Sequence, residues 1–298
     1  MSQKHYINTL LDKFHMQDCK TAQTPLPMGF KDSLEANENE EPPDLPYRSL
    51  VGSLLHLSTT TRPDIAVACS MLTRRMSTYT ATDFSTAKRV LRYLKGTIHY
   101  TLCFEAKHRH NDLVAYTDAS FASDPATGRS RTGYVVNLAG GPISWCSRLQ
   151  RHVTTATAEA EYVAVGEGMQ EVIYLRQLQE ELLDAPLPHA TTVHTDNQPA
   201  IAVGNMATSK MRHIRLRYHL TRECIADNIA TLKYISTKDN PADLFTKLLD
   251  KQTMIHHIST LLNVESSQQV TQASSTEQST RLPLTTRDNS SARQEKLL

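Results

Sequence analysis

The sequence predicts an α/β protein built on a mixed sheet, and three observations predict it. Apolar residues recur three and four apart between residues 47 and 104. After residue 112 the period switches to two, in short apolar runs separated by Asp, Ser and Gly. Beyond residue 158 helix-like and strand-like stretches alternate, the pattern that places parallel strands beside antiparallel ones.

The elements follow in order. Residues 47–57 carry Leu50, Val51, Leu54, Leu55 and Leu57 at helical spacing, and residues 64–76 follow Pro63 with Asp64 suited to a first turn. Residues 83–95 place Phe84, Ala87, Val90, Leu91 and Leu94 on one face and stop before Gly96. The opposite face holds Lys88, Arg89, Arg92 and Lys95 and reads first as solvated, with phosphate tracking as the alternative. Strands are expected at 113–117, 132–138 and 142–146, with Gly140-Gly141 turning between the last two. A long helix over 158–183, a strand at 192–195, a helix over 211–226 and a strand at 231–236 come next. A last helix over 241–249 opens on Pro241.

Four segments result. Residues 1–46 end in an acidic, Pro-rich connector over 24–46, which holds five of the 13 prolines and six acids. Residues 47–104 form a helical segment and residues 112–249 the α/β domain. Residues 264–298, where Ser, Thr and Gln supply 17 of 35 positions, read as a disordered tail.

Composition narrows the function classes. The 298 residues carry 32 Lys and Arg against 31 Asp and Glu, a net charge of +1, so the chain is no bulk polycation. No apolar run approaches the ~20 residues that span a bilayer, and the N-terminus lacks a signal-peptide pattern, so a soluble intracellular protein is expected. Five scattered cysteines without CxxC spacing argue against a disulfide framework or a zinc ribbon.

The informative residues are acids at the ends of apolar runs. Asp118 closes LVAYTD, Asp196 closes TVHTD, Glu161 sits early in the long helix (TAEAEYVAV) and Asp243 lies in the first turn of NPADLFTK. Alone, each reads as a turn or cap residue. Brought together, carboxylates 4 Å apart repel by about 4 kcal/mol at an effective dielectric of 20, so a cluster needs protons or divalent cations. Oxygen donors without Cys or His spacing favour Mg²⁺ or Mn²⁺ over zinc.

These motifs carry a resemblance. The strings YINTLLDKFHMQDCKTAQTPLP, YRSLVGSLLHLSTTTRPDIAVA, AYTDASFASD with TGYVV, TAEAEYVAV, HTDNQPAI, RYHLTREC and LKYISTKDNPADLFTK stand in this order over residues 6–249. The chain resembles the C-terminal part of the Pol polyprotein of copia-type LTR retrotransposons, the end of the reverse transcriptase region plus the ribonuclease H domain. The resemblance implies a ribonuclease H-like fold with a five-stranded mixed sheet. It implies metal-dependent cleavage of the RNA strand of an RNA–DNA hybrid, with two Mg²⁺ or Mn²⁺ ions held by Asp118, Glu161, Asp196 and Asp243. Glu159 is the alternative to Glu161, two residues away and on another helix face.

Residues 210–222 (KMRHIRLRYHLTR) hold five basic side chains and no acid, so Lys210, Arg212, Arg215, Arg217 and Arg222 are candidates for phosphate tracking. Asn197 and Gln198 either contact the nucleic-acid backbone or cap the helix after Asp196. His213 is a weaker candidate for product release, and Asp124 and Trp145 read as loop-turn and core residues. No Asp-Asp dipeptide occurs, so the polymerase acids of the family are missing and the chain reads as a truncated element. Remaining Pol segments are possible partners and the oligomeric state is open. The alternative function is a silent remnant that only binds nucleic acid.

Overall fold

A computed structural model describes residues 1–30, 42–105, 112–198, 201 and 215–264. The proposed tail beyond Val264, much of the acidic connector, and Lys210, Arg212 and His213 lie outside the described residues.

Five strands form one sheet: β1 (Val114–Ser120), β2 (Arg131–Leu138), β3 (Gly141–Leu149), β4 (Thr191–Thr195) and β5 (Ala230–Tyr234), in the order β3-β2-β1-β4-β5. The first three pair antiparallel, and β1, β4 and β5 run parallel. Among the described residues the α-helices are α1 (Lys4–Lys13), α2 (Tyr47–Thr60), α3 (Ala66–Thr73), α4 (Ala81–Gly96), α5 (Thr157–Leu183), α6 (Arg215–Ala226) and α7 (Lys251–Ser259). This strand order and mixture of directions make the fold ribonuclease H-like.

Side-chain alternation along β2 shows how the sheet is covered. Val136 packs with Met169 and Val172 of α5 and Cys224 of α6, together with Leu113, Ala115, Val193 and Ala230. Its neighbour Val135 belongs to a different apolar cluster, with Leu50, Leu54 and Leu57 of α2, Val90 and Leu94 of α4, and Phe245. Consecutive strand residues point to opposite faces, so one face meets α5 and α6 while the other meets the N-terminal helices.

Polar ties reinforce that second face. The Trp145 indole on β3 donates to the Ser58 carbonyl of α2 at 2.7 Å. Arg131, 2 % exposed, donates to Ser70 Oγ on α3 at 2.6 Å. Arg74 clamps Asp124 in the β1–β2 loop with two bonds of 3.1 and 3.0 Å, so Asp124 joins two parts of the molecule. The basic face of α4 is occupied as well: Arg92 donates to the Lys20 carbonyl, Lys95 to that of Cys19 and Arg89 to Thr24 Oγ1. These side chains clasp the stretch after α1.

Two local expectations are corrected. The helix expected over 64–76 is a 3₁₀ turn (Pro63–Ile65) followed by α3, because Arg62 and Asp64 turn inward onto one another. The final helix expected over 241–249 is a 3₁₀ turn, Pro241–Phe245, held by Asn240, whose side chain accepts from Ala242 N. A separate helix, α7, starts after Asp250, whose carboxylate accepts from Gln252 N and Thr253 N.

Candidate metal centre

Four elements bring acids to one end of the sheet. Asp118 lies inside β1 opposite Gly133, two residues before the strand ends, and is 1 % exposed. Glu161 sits in the second turn of α5, Asp196 directly follows β4, and Asp243 lies in the Pro241–Phe245 turn.

Two glycines permit this convergence. A Cβ on Gly168 would meet Thr117 Cγ2 at 2.6 Å, so only glycine lets α5 press onto β1 two turns beyond Glu161. A Cβ on Gly133 would lie 2.6 Å from Thr246 Cγ2 and 2.8 Å from Phe245 Cβ. The absent side chain leaves room for the segment that carries Asp243. Asn240 anchors that segment by donating to the Thr117 carbonyl at 3.0 Å, beside Asp118.

Carboxylate oxygens of Asp118, Glu161 and Asp196 all lie within 4.8 Å of one another. Burial pushes the Glu161 carboxyl up to about 9, with Asp118 and then Asp196 adding repulsion. Glu161 Oε2 is buried and has no hydrogen-bond partner among the described residues. Burial also raises Asp118 and Asp243, opposed in both cases by the Lys247 ammonium. Lys247 Nζ stands 2.9 Å from Asp243 Oδ1 and 3.3 Å from Asp118 Oδ2, and the two acids hold it above the usual lysine range. Thr246 Oγ1 donates to Asp118, and Thr237 Oγ1 donates to Asp196 Oδ2 at 2.7 Å.

Three carboxylates against a buried, unpartnered oxygen form a donor set that suits a hard divalent cation. Glu159 is elsewhere: its carboxylate accepts from Thr155 N and Oγ1 at the start of α5. Asn197 and exposed Gln198 follow Asp196 directly. Arg222 is half-buried on α6, and Arg215 and Arg217 belong to the same helix. Lys247, Thr246 and Asn240 escaped the reading of the sequence. The first had a signal, since a base four residues after Asp243 is the spacing of a helical ion pair.

No family model matches the chain. The retrovirus-related Pol polyprotein from transposon TNT 1-94 of Nicotiana tabacum is 36 % identical over 258 residues, which is 84 % of this chain and 19 % of that one. The corresponding polyprotein from transposon RE2 of Arabidopsis thaliana is 34 % identical over 253 residues, 84 % of this chain and 17 % of that one. This chain therefore spans under a fifth of the length of these relatives. Among solved structures, LC11-RNase H1 isolated from compost aligns at 18 % identity and a TM-score of 0.35, over 47 % of this chain and 96 % of that one. With a third of positions identical across 84 % of its length, the chain belongs to the copia-type family of retrovirus-related Pol polyproteins from transposons.

Proposed function

We propose that this chain hydrolyses the RNA strand of RNA–DNA hybrids at the Asp118, Glu161 and Asp196 cluster. One observation carries the reading: Asp118, Glu161 and Asp196 bring carboxylate oxygens within 4.8 Å of one another, and Glu161 Oε2 is buried with no hydrogen-bond partner among the described residues. Such a site is unstable by itself and is completed by a cation.

Asp118, Glu161 and Asp196 would hold Mg²⁺ or Mn²⁺, with Asp243 in support. A bound ion supplies a water activated near neutral pH and neutralises charge on a phosphodiester. Thr246 and Lys247 fix the Asp118 carboxylate, and Thr237 fixes that of Asp196, so neither needs to reorganise when substrate arrives. Asn197 and Gln198 would meet the nucleic-acid backbone beside Asp196. Lys210, Arg212, Arg215, Arg217 and Arg222 would track phosphates farther along the hybrid. Selection for RNA would rest on contacts to the 2′-hydroxyl.

The test uses the full chain with a labelled hybrid in Mg²⁺ and in Mn²⁺, beside Asp118→Asn and Asp196→Asn. RNA-strand cutting is expected to need metal. It should fall by more than about 100-fold in either variant, since losing outer-shell support alone costs 10- to 100-fold. A folded chain that binds hybrid without cutting it would overturn the hydrolase reading and leave a nucleic-acid-binding protein.

A further inference from the structure

Lys247 stands between two of the four acids that the resemblance assigns to a pair of ions, Asp118 and the supporting Asp243. Its ammonium lies between Asp118 and Asp243, within 3.3 Å of one and 2.9 Å of the other. The backbone fixes this position: Lys247 N donates to the Asp243 carbonyl at 3.1 Å, and the preceding Thr246 hydroxyl donates to Asp118. Gly133 and Asn240 hold the same segment against β2 and β1. On the other side of Asp118, Glu161 and Asp196 converge with no direct salt bridge among the described residues; Lys247 acts on Glu161 only through its field, and Glu161 Oε2 has no hydrogen-bond partner among the described residues. Lys247 thus pairs directly with Asp118 and Asp243 and not with Glu161 or Asp196 among the described residues.

We propose that Lys247 is the resident cation of the Asp118–Asp243 half, so that the chain takes one divalent ion tightly, at Asp118, Glu161 and Asp196. This rests on the hydrolase reading and departs from the two-ion expectation. A divalent ion can enter the Asp118–Asp243 half only after the ammonium leaves, because two cations would share the same oxygens at contact distance. The lysine stem is 36 % exposed, which gives it room to swing out. Lys247 is a positioning residue here: it holds Asp118 and Asp243 in register as an ion would, without entering or leaving solution.

The experiment counts bound Mn²⁺ by electron paramagnetic resonance on the full chain, without nucleic acid, for wild type, Lys247→Met, Lys247→Arg and Asp196→Asn. Wild type and Lys247→Arg are expected to bind one ion tightly and a second at least tenfold more weakly than Lys247→Met does. Asp196→Asn should lose the tight ion. Equal second-ion affinity in wild type and Lys247→Met, or two tight ions in wild type, would overturn the proposal while leaving the hydrolase reading intact. The wild-type count decides even if Lys247→Met fails to fold. A wild type that binds no Mn²⁺ would overturn the proposal and the hydrolase reading together.

Discussion

Two of the buried charged clusters in this molecule are built to opposite rules. In the helical part, Arg62 and Asp64 are 1 % and 4 % exposed and face each other with bonds of 2.9 and 2.6 Å. Arg62 also donates to the Thr97 carbonyl and hydroxyl, and Tyr93 donates to Asp64 at 2.7 Å. One base meets one acid, and every guanidinium nitrogen and both carboxylate oxygens have a hydrogen-bond partner. At the end of the sheet, four acids converge, one lysine pairs with two of them, and a buried Glu161 oxygen has no hydrogen-bond partner among the described residues. The first cluster is complete and structural. The second is left incomplete, as a site that admits a cation must be.

The comparison can be broken most forcefully at its closed side. Arg62→Ala strands the Asp64 carboxylate and should cost about 3–5 kcal/mol of unfolding free energy. Urea denaturation would measure it, and hybrid cleavage per folded molecule should be unchanged. A small loss would mean that the Arg62 network is hydrated and the contrast weaker than drawn.

Next in size is Gly133→Ala, which forces a methyl into Phe245 and Thr246. Overpacking of this kind costs about 1–3 kcal/mol, and here it also displaces the segment bearing Asp243 and Lys247. Reduced stability should come with weakened cleavage, and an unaffected activity would separate that segment from the site.

The open cluster also has a pH signature. Glu161 is raised from 4.5 to about 9, so its contribution to stability is full below pH 4.5 and is lost as pH rises toward 9. Asp118 and Asp243 are raised too and act in the same direction. Metal-free protein should therefore melt at lower temperature at pH 8.5 than at pH 5.5, at roughly 2–4 °C per kcal/mol. Glu161→Gln, which cannot ionise, should flatten the slope, and Mg²⁺ should restore the melting temperature at the higher pH. A flat profile in wild type would show that the cluster is satisfied without a cation.

The smallest expected effect sharpens the distinction between two glutamates. Glu159 serves Thr155 at an exposed helix start, so Glu159→Ala should cost about 0.5–1 kcal/mol and leave cleavage intact. Parallel denaturation and cleavage assays would check it. A loss as severe as that of Asp118→Asn would transfer the metal role to Glu159.

The class of structure and the kinds of residue at the candidate site are legible in the chain without its fold. The change from helical to strand period at residue 112, the glycines and prolines at turns and the short motifs around the acids are local signals, each readable within about ten residues. The tertiary structure decided what those signals meet. That Glu161 and Asp118 share a site depends on Gly168 letting one helix press onto one strand. That Arg131, Asp124 and Trp145 also tie the sheet to α2 and α3, while Trp145 packs on the core and Asp124 stays in its loop turn, depends on partners 50 to 87 residues away. The spacing of Lys247 from Asp243 is visible in the chain; only the fold shows Asp118 beside it. Local pattern follows from backbone geometry, whereas charge pairing and close approach depend on which distant surfaces pack together.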